Sequence, residues 1–65
     1  MDDAEDLAGA LLSRFAGVLE DLSTTAALAS TACDPVVIVA MREQLADASA
    51  LLEAAAILVL REALD

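Results

Sequence analysis

The side chains that could do chemistry in this 65-residue chain are almost all carboxylates. Twelve Asp and Glu stand beside three Arg and one Cys, and the chain contains no His and no Lys. Di-iron and di-manganese sites in helical bundles combine Glu with His, which is missing here. Glu20 and Glu53 are the two acids worth considering as ligands. An exposed or partner-paired carboxylate explains both more simply, so the sequence predicts no metal centre.

Four acids near the start of the chain form a second cluster: Asp2, Asp3, Glu5 and Asp6. Such a cluster could bind a divalent cation. Asp2 followed three residues later by Glu5 also resembles a helix capping box, and acids are favoured beside the positive end of a helix dipole. The start of a helix therefore accounts for this cluster without a cation.

The single cysteine, Cys33, lies just before a predicted helix, a setting that can activate a thiol. A reactive or disulfide-linked cysteine is one interpretation. Because no basic side chain is near it in sequence, a passive residue packed in a turn is the preferred one. A lone cysteine also cannot form a disulfide within the chain.

The three Arg are expected to form surface pairs with acids, such as Arg42 with Asp47 and Arg61 with Asp65. No nucleophile with a base, acid-base pair, phosphate loop or cofactor motif can be assembled from the remaining residues. The sequence therefore predicts a protein that is not an enzyme and binds no cofactor.

The formal net charge of -9 bears on partners and location. It opposes binding to DNA or RNA, which requires basic groups that neutralise phosphates, and it disfavours anionic membranes. The longest apolar run, residues 54–60, is too short to span a bilayer, and the acidic start does not resemble a signal peptide. We expect a cytoplasmic protein with no membrane span, and the use of Arg without Lys beside sixteen Ala suggests a bacterial source.

Apolar residues at alternating spacings of three and four predict a helix over about residues 3–31. Three consecutive hydroxyl residues at 23–25 compete for backbone hydrogen bonds, so the sequence leaves open a break in this helix there. The apolar seam consists of Leu11, Phe15, Val18, Leu22 and Ala29, with Ala4, Ala8, Thr25 and Ala32 in its gaps.

A second helix is predicted over about residues 35–64, because Asp34 is a preferred N-cap and Pro35 suits the first helical position. The turn at 32–34 is short enough to fold this helix back antiparallel on the first. Its predicted seam is Ile38, Met41, Leu45, Ala48, Leu52, Ala55 and Val59.

The predicted fold class is all-α: residues 1–65 form one domain, an antiparallel αα-hairpin that associates into a four-helix bundle. Two helices alone cannot cover a chain that is 60% apolar. Residues 54–60 are apolar on every side of a helix and should be buried on every side. A row of small residues on the first helix, including Gly9, Ser13 and Gly17, is a weaker second contact surface. The predicted interface residues are Leu51, Leu52, Ile57, Leu58, Leu60 and Leu64, together with Leu11, Phe15, Val18 and Leu22.

Two functions fit this pattern. The first is a non-catalytic interaction module, a homodimer or higher homo-oligomer that brings larger proteins or its own copies together. The alternative is a small accessory subunit held by a larger protein in a multi-subunit enzyme. The two differ in behaviour, because a module should be a soluble oligomer alone, whereas an accessory subunit should aggregate or stay molten.

Overall fold

The computed structural model describes residues 3–64, of which 92% are helical and none is in a strand. Helix α1 spans Asp3–Ala29 and helix α2 spans Pro35–Leu64, and the two pack against each other. The prediction of an all-α helical hairpin is thus confirmed. Within the same described range, neither helix has an apolar stretch long enough to cross a membrane.

Helix α1 is continuous through its three hydroxyl residues. The hydroxyl of Thr24 donates to the backbone oxygen of Glu20 at 3.2 Å, and that of Thr25 donates to the oxygen of Asp21 at 2.9 Å. Because each hydroxyl bonds to the carbonyl four residues earlier, these side chains follow the helical hydrogen bonds and do not interrupt them. The predicted N-cap, Asp2, lies outside the described residues.

The end of α1 at Ala29 comes two residues before the predicted position. The amide of Ala32 donates to the oxygen of Ala29 at 3.1 Å, a bond that spans three residues where an α-helix spans four. The amide of Cys33 donates to the same oxygen at 2.7 Å. Cys33 has a φ of 49°, in the left-handed region. This bond and this φ together are the αL cap that often ends helices.

The start of α2 is the predicted Asp-Pro cap. The Asp34 carboxylate accepts a hydrogen bond from the amide of Val36 at 2.9 Å, and its backbone oxygen accepts one from the amide of Ile38 at 3.0 Å. Pro35 occupies the first helical position, where its missing N–H leaves no bond unmade. The chain therefore turns back within five residues, between Ala29 and Pro35.

The hairpin is a rod of 48 × 15 × 12 Å, with a radius of gyration of 14.9 Å. A compact domain of this length has a radius of about 11 Å. The α1 side of the contact is the predicted seam from Ala4 to Ala29, whereas Ala32 is exposed in the turn. Among the described residues, the fully buried ones are Ala8, Ala29, Ala48 and Ala55.

The prediction for the seam of α2 is wrong at four positions. Ile38, Leu45, Leu52 and Val59 are exposed. Met41, Ala48 and Ala55 lie in the seam as predicted. The two rows that flank them both repeat every seven residues and are apolar except at Gln44, so periodicity alone cannot say which row faces α1. The observed seam is Val37, Met41, Gln44, Ala48, Leu51, Ala55 and Leu58.

Candidate interaction surface

The predicted interface residues separate into two groups. Leu11, Phe15, Val18 and Leu22 of α1 are half-buried between the helices, as are Leu51 and Leu58 of α2; the others, Leu52, Ile57, Leu60 and Leu64, are exposed. Leu51 and Leu58, which the sequence pattern assigns to a contact with another chain, lie half-buried against α1. The hairpin therefore leaves a different set of leucines for a partner.

One long side of the hairpin can be traced from the groove at its open end, which Ala4, Glu5, Leu58, Val59 and Glu62 line. Glu5 and Val59 lie beside the seam on this side. Steps of seven residues from each stay on the same side of a paired helix. From Glu5 the steps lead along α1 to Leu12, Leu19 and Ala26, and from Val59 they lead back along α2 to Leu52, Leu45 and Ile38. Because the helices are antiparallel, Leu12 lies at the same height along the rod as Leu52, Leu19 as Leu45, and Ala26 as Ile38.

The six residues paired by height, together with Val59, form what we term the apolar side of the hairpin. The exposed fractions of its six large residues run from 38% for Leu19 to 55% for Leu45. Glu5, at one end, is the only charged residue that these steps reach among residues 3–64. The members of the apolar side are Leu12, Leu19, Ala26, Ile38, Leu45, Leu52 and Val59.

The opposite long side carries charge. Arg14 and Asp47, from different helices, line one groove there together with Val18, Ala50, Leu51 and Ala54. Steps of seven from Arg14 reach Asp21 and the exposed Leu7 and Leu28, and seven beyond Ala54 lies Arg61. The expected partners Arg42 and Asp47 line different grooves, and Asp65 lies outside the described residues. The two sides of the hairpin thus differ in chemistry, and one of them is suited to burial.

A third surface is the outer row of α2, which faces away from α1. Its apolar members lie at the two ends of the helix, Val36 and Val39 at one and Ile57, Leu60 and Leu64 at the other. Ile57 and Leu60 are each 60% exposed and Leu64 is 88% exposed. Glu43 and Glu53 interrupt the row between them.

The acids considered as metal ligands are spread over the surface. Glu20 and Glu53 are exposed on the outer faces of α1 and α2, with the hairpin between them. Asp3, Glu5 and Asp6 are also exposed. Over residues 3–64, no three His, Cys, Asp or Glu side chains come together as a metal site.

Cys33 is a free, exposed thiol. The expectation that it packs into the turn is wrong, because the cap places this residue in the left-handed conformation at the tip of the hairpin. The small residues on the outer part of α1 are exposed as well, and a side chain at Gly9 or Gly17 would meet nothing within 4 Å. Neither feature forms a pocket with other groups.

The predicted interface residues include Leu52 but not Ile38, Leu45 and Val59, which are exposed in the same row. The signal was available, since four aliphatic residues recur at intervals of seven. The predicted seam assigns these four residues to the contact between α1 and α2, and their exposure is therefore not expected from the sequence.

Comparison of the chain with protein-family models, with curated proteins and with solved structures finds no match. The exposed surfaces of the hairpin are therefore the features of the molecule that bear on its function.

Proposed function

We propose that the protein is a non-catalytic interaction module that self-associates through its apolar side. A second copy of the hairpin covers this side, and the two copies form a four-helix bundle. The observation that carries the proposal is the apolar side, where six large aliphatic side chains follow one face of both helices. Exposed singly, such residues are ordinary; as a contiguous strip they are typical of an interface.

The surface area of the hairpin supports a second copy. Its accessible surface is 4902 Å², whereas a folded monomer of 6.7 kDa has about 3,900 Å². The excess is about 1,000 Å², and a standard interface buries about 800 Å² on each partner. Association with one further hairpin would therefore hide an amount of surface that matches the excess.

The pattern of the apolar side also suits a second copy. Four-helix bundles bury residues that recur at intervals of seven, because facing helices interdigitate with that period. The rows on α1 and α2 have this interval. With a net charge of -9 on each copy, an interface is favourable only where carboxylates are few, and the apolar side meets that condition better than the charged side.

A non-catalytic role rests on the dispersion of the polar groups. The carboxylates considered as ligands are exposed on separate surfaces, and no buried charged side chain occurs among residues 3–64. Catalytic sites need converging polar groups in a sheltered pocket. Three grooves of this hairpin are open, with two charged residues each.

Sedimentation equilibrium over a hundredfold range of protein concentration tests the proposal, with helix content followed by circular dichroism on the same samples. We expect a mass of two chains at high concentration and a joint loss of mass and helix content on dilution, because a lone hairpin has a marginal core. A single-chain mass with full helix content at every concentration would contradict self-association.

The accessory-subunit alternative has one observation in its favour. A pair joined by the apolar sides leaves Ile57, Leu60 and Leu64 uncovered, since the outer row faces away from that contact. If a larger protein holds this row, the chain expressed alone should aggregate beyond a pair. Replacement of all three by polar residues should then restore a clean two-chain mass.

A further inference from the structure

We infer that the two copies lie side by side and antiparallel, with their turns at opposite ends of the bundle. This inference rests on the proposed function, since it concerns how a second copy covers the apolar side. Two arrangements keep every neighbouring helix antiparallel. In one, both turns are at the same end and α1 faces α2 of the second copy; in the other, the turns are at opposite ends and each helix faces its own counterpart.

The distribution of charge distinguishes the two arrangements. Among residues 3–64, the open end of the hairpin carries the carboxylates of Asp3, Glu5, Asp6 and Glu62 together with Arg61, whereas the charged residue at the turn end is Asp34. Turns at the same end would place two such acidic open ends side by side. Turns at opposite ends separate them by almost the 48 Å length of the rod, several times the Debye length of about 8 Å.

The order of residues in the two rows is compatible with this arrangement. Rotation about an axis through the middle of the apolar side pairs Leu45 with Leu52 of the second copy and Ile38 with its Val59. It also pairs Leu12 with Leu19 of the second copy. A single axis relates both rows to the second copy because Leu12 lies level with Leu52 and Leu19 level with Leu45. The midpoints of the two rows are therefore at the same height along the rod.

The position of Glu5 agrees as well. With the turns at opposite ends, Glu5 faces Ala26 of the second copy, a small residue that leaves the carboxylate room to reach solvent. With the turns at the same end it would face Val59 of the second copy, which would bury a carboxylate against a branched apolar side chain. Burial of an unpaired charge is costly, so the first arrangement is favoured.

The single cysteine provides the test, because Cys33 is exposed at the turn and can carry a spin label without other changes. Pulsed dipolar spectroscopy on the labelled full chain should give one distance of about 45 Å, the length of a 30-residue helix. Turns at the same end would give a distance within about 20 Å, since neighbouring helix axes are about 10 Å apart.

A Cys33→Ser, Ser13→Cys chain is the matched control. Ser13 lies near mid-height on the outer face of α1, so both arrangements keep its two labels well within 45 Å of each other, and its signal establishes that paired labels are detected. A short Cys33 distance, or a mixture of short and long distances, would overturn the arrangement and leave self-association standing. A single-chain mass with no dipolar signal from either chain would overturn both proposals.

Discussion

Leu51 and Leu52 are consecutive residues with different environments: Leu51 lies in the contact between α1 and α2, whereas Leu52 is 43% exposed on the apolar side. One step along an α-helix turns the side chain by about 100°, enough to move it from the hairpin contact to the neighbouring long side. Substitutions at these two leucines therefore distinguish the pairing of α1 with α2 from the proposed association with a second copy.

Leu52→Asp should weaken association and Leu51→Asp should prevent folding. Aspartate at 52 leaves the contact between the helices intact and puts a charge into the proposed interface, which should raise the dissociation constant at least a hundredfold, about 3 kcal/mol. Aspartate at 51 puts the charge between α1 and α2, so helix content should be lost at all concentrations. Sedimentation and circular dichroism measure both effects.

Ser13→Asp is the control for these variants, because Ser13 is exposed on the outer face of α1 between Asp6 and Glu20, one heptad away on either side. It should change neither the mass nor the melting temperature appreciably. A Leu52→Asp chain that keeps the wild-type mass would show that the apolar side is not the interface.

Gln44→Leu should stabilise the protein. Gln44 lies in the seam of α2, and its side-chain oxygen is buried with no hydrogen-bond partner among the described residues. An apolar side chain of similar length removes that unmet hydrogen bond, worth about 1 to 3 kcal/mol. We expect a melting temperature several degrees higher by circular dichroism at fixed concentration. Gln44→Glu, which adds a charge at the same site, should lower it; equal melting temperatures for all three chains would refute the assignment.

Cys33→Gly should also stabilise the hairpin, by about 1 kcal/mol, because Cys33 has a φ of 49° and glycine adopts such values without strain. Urea denaturation at fixed concentration measures the change. Ala27→Gly is the comparison, at an exposed helical position of α1 where glycine should cost about 1 kcal/mol. If both glycines destabilise equally, the turn does not depend on the left-handed conformation of residue 33.

Salt should strengthen association. Each copy carries a net charge of -9, so two copies repel at low ionic strength, and raising NaCl from about 0.05 M to about 0.5 M shortens the screening length from about 14 Å to about 4 Å. We expect a several-fold lower dissociation constant at the higher salt concentration. The Leu52→Asp chain should remain monomeric in both buffers. Dissociation promoted by salt would instead indicate that ion pairs hold the copies together.

Much of the fold could be predicted because local chemistry decided it. The seam of α1 follows from spacing alone, since only one face of that helix is broadly apolar. The turn follows from Asp34 and Pro35, whose cap needs no distant partner. The end of α1 was misplaced because its final bonds depend on the conformation of Cys33, which sequence spacing does not reveal.

The surface of α2 could not be predicted in the same way. Ala48 and Ala55 are flanked by two rows of equal period, one wholly aliphatic and the other aliphatic except at Gln44, and either could face α1. Which row does so depends on the shape of both helices together, a property of tertiary packing. The row of α2 that does not face α1 remains exposed and forms the α2 part of the apolar side.

The four buried residues among positions 3–64 are all alanine, which bears on how the protein should respond to cold. Alanine removes little apolar surface from water, so closing the hairpin contributes only part of the heat-capacity change of folding; covering the apolar side contributes much of the rest. The attraction that depends on apolar hydration weakens on cooling. Chilled solutions of the protein should consequently contain more separated chains than warm ones, and moderate warming should draw the copies together before the helices melt.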